Sequence, residues 1–208
     1  MSPRSRVLLD RAELAAIVHR IGAAVEADHP EGVVMIGVLK GALVFLADLV
    51  RAVQQVDVFV DFLAISRYAP DSGRVRIVQD VQLELGGRDV VLVEDLIDTG
   101  LTCAYLLQHV EGLGARRVEV CTMLDRPGRR IVPITPRYVG ATIADDAFVL
   151  GVGLHHHDRY RNLPIVLEAD RHALDSDADA FASWYGSAAR STSDRPDVAM
   201  GAGGTLAE

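Results

Sequence analysis

The segment Glu94-Asp95-Leu96-Ile97-Asp98-Thr99-Gly100-Leu101-Thr102 concentrates chemistry-bearing side chains: three carboxylates in five residues, then two hydroxyls and a glycine. It follows Val90-Val91-Leu92-Val93, a continuous apolar run of the kind a central parallel strand requires. In open parallel sheets, ligands bind at the carboxyl ends of the strands. A helix beginning at Gly100 offers unpaired N–H groups to a phosphate. Three carboxylates beside that phosphate would repel it unless a divalent cation or sugar hydroxyls lay between. The combination points to a phosphorylated sugar with its hydroxyls toward the acids and its phosphate on the helix. Taken alone, the pattern also fits a buried strand and a capped helix with solvated acids, because acidic side chains favour helix N-termini.

The elements that must position these residues are legible in the periodicity. Asp10 followed by Glu13 is a helix-start signal, and apolar residues from Leu14 to Val25 recur at helical spacing. Val33–Val38 has buried-strand length, Leu39-Lys40-Gly41 reads as a turn, and a helix is expected over about 42–53. A second strand is expected from Val56 to Ile65, a loop over Ser66–Gly73, and a hairpin arm from Val75–Val78 and Val81–Leu85. A strand over Asp89–Val93 and a helix over Gly100–Leu113, capped by Gly114 in the left-handed region, enclose the acidic segment. Val118–Met123, Tyr138–Thr142, Phe148–Val152 and Pro164–Leu167 read as further strands, and Asp177–Ala189 as a terminal helix. Apolar strands alternating with helices make this an α/β chain with a mostly parallel sheet covered on both faces. Residues 1–190 are expected to form one domain, and 191–208, rich in Ser, Asp, Pro, Gly and Ala, a disordered tail.

Composition narrows the function. The 208 residues carry a formal net charge of −8, which opposes general nucleic-acid binding. The most apolar stretch, Val33–Val50, is interrupted by Lys40, Asp48 and two glycines, so a membrane span is not expected. Cys103 and Cys121 form neither a disulfide framework nor a metal-ligand spacing. With no secretory signal in the first twenty residues, they suggest a reduced, cytoplasmic protein. Lys40 is the only lysine among 21 basic residues, which singles it out from an otherwise all-arginine background. A dinucleotide-binding oxidoreductase lacks its glycine-rich turn after the first strand.

Val90–Thr102, VVLVEDLIDTGLT, closely resembles the phosphoribosyl pyrophosphate signature of the type I phosphoribosyltransferases, specifically the hypoxanthine-guanine branch. Two further segments carry the resemblance. Gly37–Ala42 with Val44–Leu49 is similar to that family's pyrophosphate loop and helix, and Arg159-Tyr160-Arg161-Asn162-Leu163-Pro164 to its bacterial closing segment. The similarity runs from about Leu8 to Val166. It implies a type I phosphoribosyltransferase fold with a small hood built from the two chain ends, and a homodimer or homotetramer. It also implies a magnesium-dependent transfer from phosphoribosyl pyrophosphate to a 6-oxopurine. On this reading Asp98 is the general base for the purine N7 proton. Glu94 and Asp95 face the ribose hydroxyls and the water shell of Mg2+. Thr99, Gly100, Leu101 and Thr102 hold the 5′-phosphate, Lys40 with the backbone at Leu39 and Gly41 holds the pyrophosphate, and Arg161 of the closing segment also binds substrate. Phe148 and Val149 match the segment that stacks on the purine, and Ser66–Gly73 with Tyr68 the closing lid.

Four positions depart from the family pattern. Arg67 precedes Tyr68 where the family has serine, and Arg126 stands where a lysine donates to the 6-oxo group. Ala147 also replaces a lysine. His155, the first of three consecutive histidines, occupies the place of an aspartate that ligates a second magnesium. Histidine suits softer metals. The triple histidine hints at zinc or nickel, but adjacent side chains seldom converge, and the expected arrangement is a loop with His155 lining the pocket. Two alternatives remain at this point: the same transfer onto a modified purine or deazapurine, and a non-catalytic nucleotide-binding paralogue.

Overall fold

The computed structural model describes residues 5–66 and 76–187. Asp10 accepts the N–H groups of Ala12 and Glu13, and the Glu13 carboxylate takes the N–H of Asp10. This reciprocal cap satisfies donors that a helix start otherwise leaves open, and α1 (Arg11–Asp28) begins there. It follows a short strand, β1 (Ser5–Leu9). The chain continues through β2 (Val33–Leu39), α2 (Leu43–Ala52), β3 (Val58–Ser66), β4 (Arg76–Gln79), β5 (Asp89–Ile97), α3 (Leu101–Gly112), β6 (Arg117–Asp125) and β7 (Tyr138–Thr142). It ends with β8 (Val149–Leu150), β9 (Val166–Ala169), α4 (Arg171–Ser176) and α5 (Trp184–Ser187).

The main sheet has the order β4-β3-β2-β5-β6-β7. Its strands are parallel except β4, which pairs antiparallel with β3 at one edge. Because β2 has β3 on one side and β5 on the other, the chain leaves β2 in one direction and returns beyond it in the other. Such a switch point opens a crevice at the strands' carboxyl ends. Apolar side chains on both faces explain the burial. Val91, Val93 and Met35 pack with Ile17, Ile21 and Val25 of α1 and Phe45, Leu46 and Leu49 of α2. Val90, Leu92, Val34 and Ile36 pack with Cys103, Leu106 and Val110 of α3. A second, three-stranded sheet, β1-β9-β8, joins the two ends of the chain into a hood. Its own cluster centres on Leu150, Tyr160, Leu167 and Phe181.

Four differences from the periodicity have local causes. First, β5 runs to Ile97 rather than ending at Val93, so Glu94 and Asp95 lie on the strand itself. Second, Val81–Leu85 forms no strand, and the arm is β3 with β4. The Asp61 carboxylate takes the N–H groups of Gln82 and Leu83, occupying the donors a strand would use. Third, of the helix expected over 177–189 the described residues form only α5 (Trp184–Ser187), and a short helix that was not expected, α4, precedes that span. Asp170 caps α4 through the N–H groups of His172 and Ala173, and Asp177 takes the N–H of Asp179, turning the chain so that Phe181 enters the core. Fourth, Pro164 and Ile165 precede the last strand, which is β9. Most of the lid segment, from Arg67 through Tyr68 to Gly73, and the tail from residue 191 lie outside the described residues.

The opposite end of β5 is held by charge. Asp89 is buried and accepts from Arg116 Nε at 2.8 Å, Arg117 at 2.9 Å and the His29 ring at 3.0 Å. Its hydrogen bond from Arg116 outweighs desolvation and, with those from His29 and Arg117, holds the carboxyl well below the usual range. A depressed folded-state pKa gives stability that is complete above the unfolded value of about 4 and is lost as pH falls below it. Asp89→Asn should therefore destabilise by about 2–3 kcal/mol at pH 7. The gap between parent and variant should narrow in acid denaturation scans below about pH 4. A constant gap from pH 7 to pH 2 would mean that the carboxylate charge does not carry this contribution.

Candidate active site

The alternation of β5 inverts where the acids begin. Val91 and Val93 face the α1–α2 side, and Val90 and Leu92 face α3. Past Glu94 and Asp95, Leu96 packs on the first side and Ile97 on the second. The pairing of β5 with β6 holds on both sides of this inversion, at Glu94 with Thr122 and at Leu96 with Leu124. Glu94 is buried near Cys103. Burial first, and then the Glu94 carboxylate, push that thiol up to about 12, so Cys103 stays protonated.

Asp95 meets the loop that leaves β2. A Cβ added to Gly41 would overlap the Asp95 carboxylate, so only glycine permits this approach. The Leu39–Lys40 peptide is cis. Gly153, at φ +95, brings the hood onto the same loop, and a Cβ there would overlap the Gly41 carbonyl. Three segments distant in sequence thus close on one point. Lys40 is exposed, with Nζ 3.7 Å from Asp158. Arg161 donates to Asp158 at 2.7 Å and to the Gly153 carbonyl at 2.6 Å. The Arg161 hydrogen bond, then the Lys40 charge, lower the Asp158 carboxyl.

Asp98 sits at the mouth of α3. Gly100, at φ 81, caps this helix without any side-chain hydrogen bond, and Leu101 N–H reaches Thr99 Oγ1 only at 3.5 Å. The first turn is therefore free to donate to an anion. Sequence reasoning missed two cations around Asp98. Arg129 Nε lies 3.2 Å and Arg126 3.5 Å from Asp98 Oδ1, and Arg130 donates to the Asp98 carbonyl at 2.7 Å. The tight turn Pro127–Arg129 delivers all three. A Cβ on Gly128 would overlap the Asp145 carboxylate, so the turn also rests on the segment leading to Phe148. Arg126 is buried and donates to the Ala147 carbonyl, while Asp98 Oδ1 makes no hydrogen bond among the described residues. The run Arg126-Pro127-Gly128-Arg129-Arg130 just after β6 was the available signal.

Phe148 is half-buried, with the Arg171 guanidinium over its ring at 5.7 Å and the His156 ring against it at 5.8 Å. His155 is exposed, and its Nδ1 accepts the Asp158 N–H at 3.0 Å. The other two histidines converge more than expected: their rings lie 4.2 Å apart. Positive φ values at His157 and Asp158 curl the backbone enough to bring neighbouring side chains together. A cavity of about 500 Å3 between α1, α2 and residues 161–164 touches this constellation only through Arg161.

With this geometry in place, comparison with known proteins is decisive. Residues 7–159 match the phosphoribosyl transferase domain model. The chain belongs to the phosphoribosyltransferase family. A hypoxanthine-guanine phosphoribosyltransferase of Bacillus subtilis is 37% identical over 167 residues, covering 77% of this chain and 91% of that protein. One from Lactococcus lactis is 37% identical over 165 residues, covering 77% and 88%. The crystal structure of a Bacillus anthracis hypoxanthine-guanine phosphoribosyltransferase superposes with a TM-score of 0.74 at 36% identity, over 82% of this chain and all of that one. A Trypanosoma cruzi hypoxanthine phosphoribosyltransferase mutant complexed with the product IMP gives 0.78 at 29% identity, over 84% and 95%. The chain thus groups with the family's hypoxanthine-guanine members.

Close approach at Gly41 makes a sharp test. Gly41→Ala must displace Asp95, and turnover should fall on the order of 10²-fold, as expected for misplacement by about an ångström. Gly86→Ala, with open space around the new methyl, should turn over like the parent. Parent-level turnover in Gly41→Ala would show that Asp95 has room to move without cost.

Proposed function

We propose that the chain transfers the 5-phosphoribosyl group from phosphoribosyl pyrophosphate to a 6-oxopurine, hypoxanthine or guanine, releasing pyrophosphate and the nucleoside 5′-monophosphate. The observation that carries this reading is the meeting, at the switch point, of the Lys40 loop, the Glu94–Asp95 acids and the open N-terminus of α3 beside Asp98.

In this reading Thr99, Gly100, Leu101 and Thr102 take the 5′-phosphate on N–H groups and hydroxyls at the helix start. Glu94 and Asp95 lie beside the ribose. As the C1–oxygen bond to pyrophosphate breaks, positive charge grows on the ring, and carboxylates aimed there stabilise it more than they stabilise the bound substrate. The purine nitrogen forms the new bond to C1, and its N7 proton passes to Asp98. Arg126 donates to the 6-oxo group, Phe148 stacks on the base, and Val149 borders it. The Lys40 ammonium, the backbone at Leu39 and Gly41, and the Arg161 guanidinium receive the pyrophosphate. Tyr68 belongs to the segment that closes over them.

Donor chemistry supports one hard cation. Glu94 and Asp95 offer oxygen only, the donor type that a hard cation prefers. Mg2+ bound there would neutralise charge on the departing pyrophosphate. His155, a nitrogen donor engaged with the Asp158 N–H, does not fit a second magnesium. A single domain over residues 1–190, a cytoplasmic location and a homodimer or homotetramer belong to the same reading. No described helix is long and apolar enough to cross a membrane.

Asp98→Asn keeps the shape and removes the base. Its turnover should fall roughly 10²–10⁴-fold, with little change in the KM for phosphoribosyl pyrophosphate. A loss of less than about tenfold would sink the assignment of Asp98 as base. Arg126→Met keeps the side chain's length and removes the donor. It should raise the KM for hypoxanthine and guanine together, by about tenfold, because the 6-oxo group loses a charged hydrogen-bond donor. Unchanged KM values for both bases would remove Arg126 from the purine pocket.

A further inference from the structure

The hood carries a second cluster of ligating groups that the transfer chemistry does not use. His156 and His157, from the loop after β8, meet Asp175 of α4, and one ligand atom from each lies within 4.8 Å of the other two. His156 is 9% exposed, yet its Nε2 makes no hydrogen bond among the described residues. It points at Asp175 Oδ1 from 3.5 Å. A buried imidazole nitrogen without a hydrogen-bonding partner is costly. Here it is aimed at a carboxylate with a second imidazole beside it, which is an arrangement that suits a cation.

We propose that His156, His157 and Asp175 form a binding site for a divalent transition-metal ion, zinc or nickel in type, separate from the Glu94–Asp95 site. Two imidazoles and one carboxylate are a borderline-soft donor set that prefers such ions to magnesium. Tetrahedral bonds of about 2.0–2.1 Å place ligand atoms roughly 3.4 Å apart. The cluster therefore closes by side-chain rotation of about an ångström, and His157 and Asp175 are exposed and free to make it. Arg171 Nε lies 3.7 Å from Asp175 Oδ2, the oxygen facing away from His156. The carboxylate thus serves the arginine on one side and the metal on the other. A fourth position is left for water. The ion would tie α4 to the loop that also presents His155 and Asp158, next to the Phe148 ring.

The test titrates Co2+ and Zn2+ into the metal-free full-length chain with Mg2+ in excess, reading the visible Co2+ absorption, the stoichiometry by calorimetry and the thermal midpoint. The expected result is one equivalent bound with a tetrahedral Co2+ band and a Zn2+-dependent rise in midpoint. Affinity should fall at least tenfold in both His157→Ala and Asp175→Asn. Both positions are exposed, and circular dichroism verifies that the variants fold; Glu94→Gln should bind like the parent. The absence of saturable binding overturns the site. So does parent-like binding in either His157→Ala or Asp175→Asn, and so does a loss confined to Glu94→Gln, which would put the ion on the catalytic acids. None of these readouts depends on turnover, so failure here leaves the transfer reading untouched.

Discussion

The loop leaving β2 and the acidic stretch of β5 are pressed together because the strands that carry them are neighbours in the sheet, paired from Val34–Val90 to Gly37–Val93. Four residues past that pairing, Gly41 has no side chain because the Asp95 carboxylate fills the place where one would go. The hood adds a third surface through Gly153, whose positive φ lets its backbone lie on the Gly41 carbonyl. Each glycine is demanded by a contact rather than by flexibility. Both contacts hold the Lys40 loop against the acids. In the proposed transfer, substrate groups of opposite preference, hydroxyls and phosphates, are then held only a few ångströms apart.

That proximity creates an electrostatic problem, which the arginine-rich turn after β6 answers. Asp98 projects from the end of β5 toward a helix N-terminus, and Arg126, Arg129 and Arg130 surround it on side chain and carbonyl. Arg130 also pairs with Asp125, the last residue of β6, so the turn is anchored to the neighbouring strand. Because Arg126 also holds the Ala147 carbonyl, the segment bearing Phe148 is fixed to the same network. In the proposed transfer, the carboxylate that accepts the proton is thereby tied to the wall that carries the base, and one buried side chain, Arg126, reaches both.

How much of this was readable depended on the range over which each signal acts. The capped start of α1, the buried run at Val90–Val93 and the left-handed Gly114 are local, and the chain takes the form those residues specify. The extension of β5 through Glu94–Ile97 was hidden because polar residues interrupt the apolar pattern, while the pairing to β6 that sustains the strand comes from 25 or more residues away. Asp170 spends its carboxylate capping α4, and Asp177 spends its own on the N–H of Asp179, so the helix expected from 177 does not start there. Arg129 and Arg130 carried only the signal of their run after β6, a weak one where every basic residue but Lys40 is arginine. The approach of His157 to Asp175 spans 18 residues and depends on left-handed backbone at His157 and Asp158, which neither residue type announces.

Asp158 links these observations. Its carboxylate is held by Arg161 at 2.7 Å and faces Lys40 at 3.7 Å, while its N–H is taken by His155. These two cations are the ones that flank the β2 loop from the hood and from the core. An anion arriving there must either displace the carboxylate or share the cations with it. The Lys40 pair is exposed, so breaking it costs little, while the Arg161 guanidinium is mostly buried; a multiply charged anion offers two cations more than a single carboxylate can. In the proposed transfer, such an exchange would release the Asp158 carboxylate from both cations. The chain's excess of negative charge works to the same end. Outside this corner it repels anions generally, so in the proposed transfer an anion is held by local groups, Lys40, Arg161 and the start of α3, rather than by the overall field.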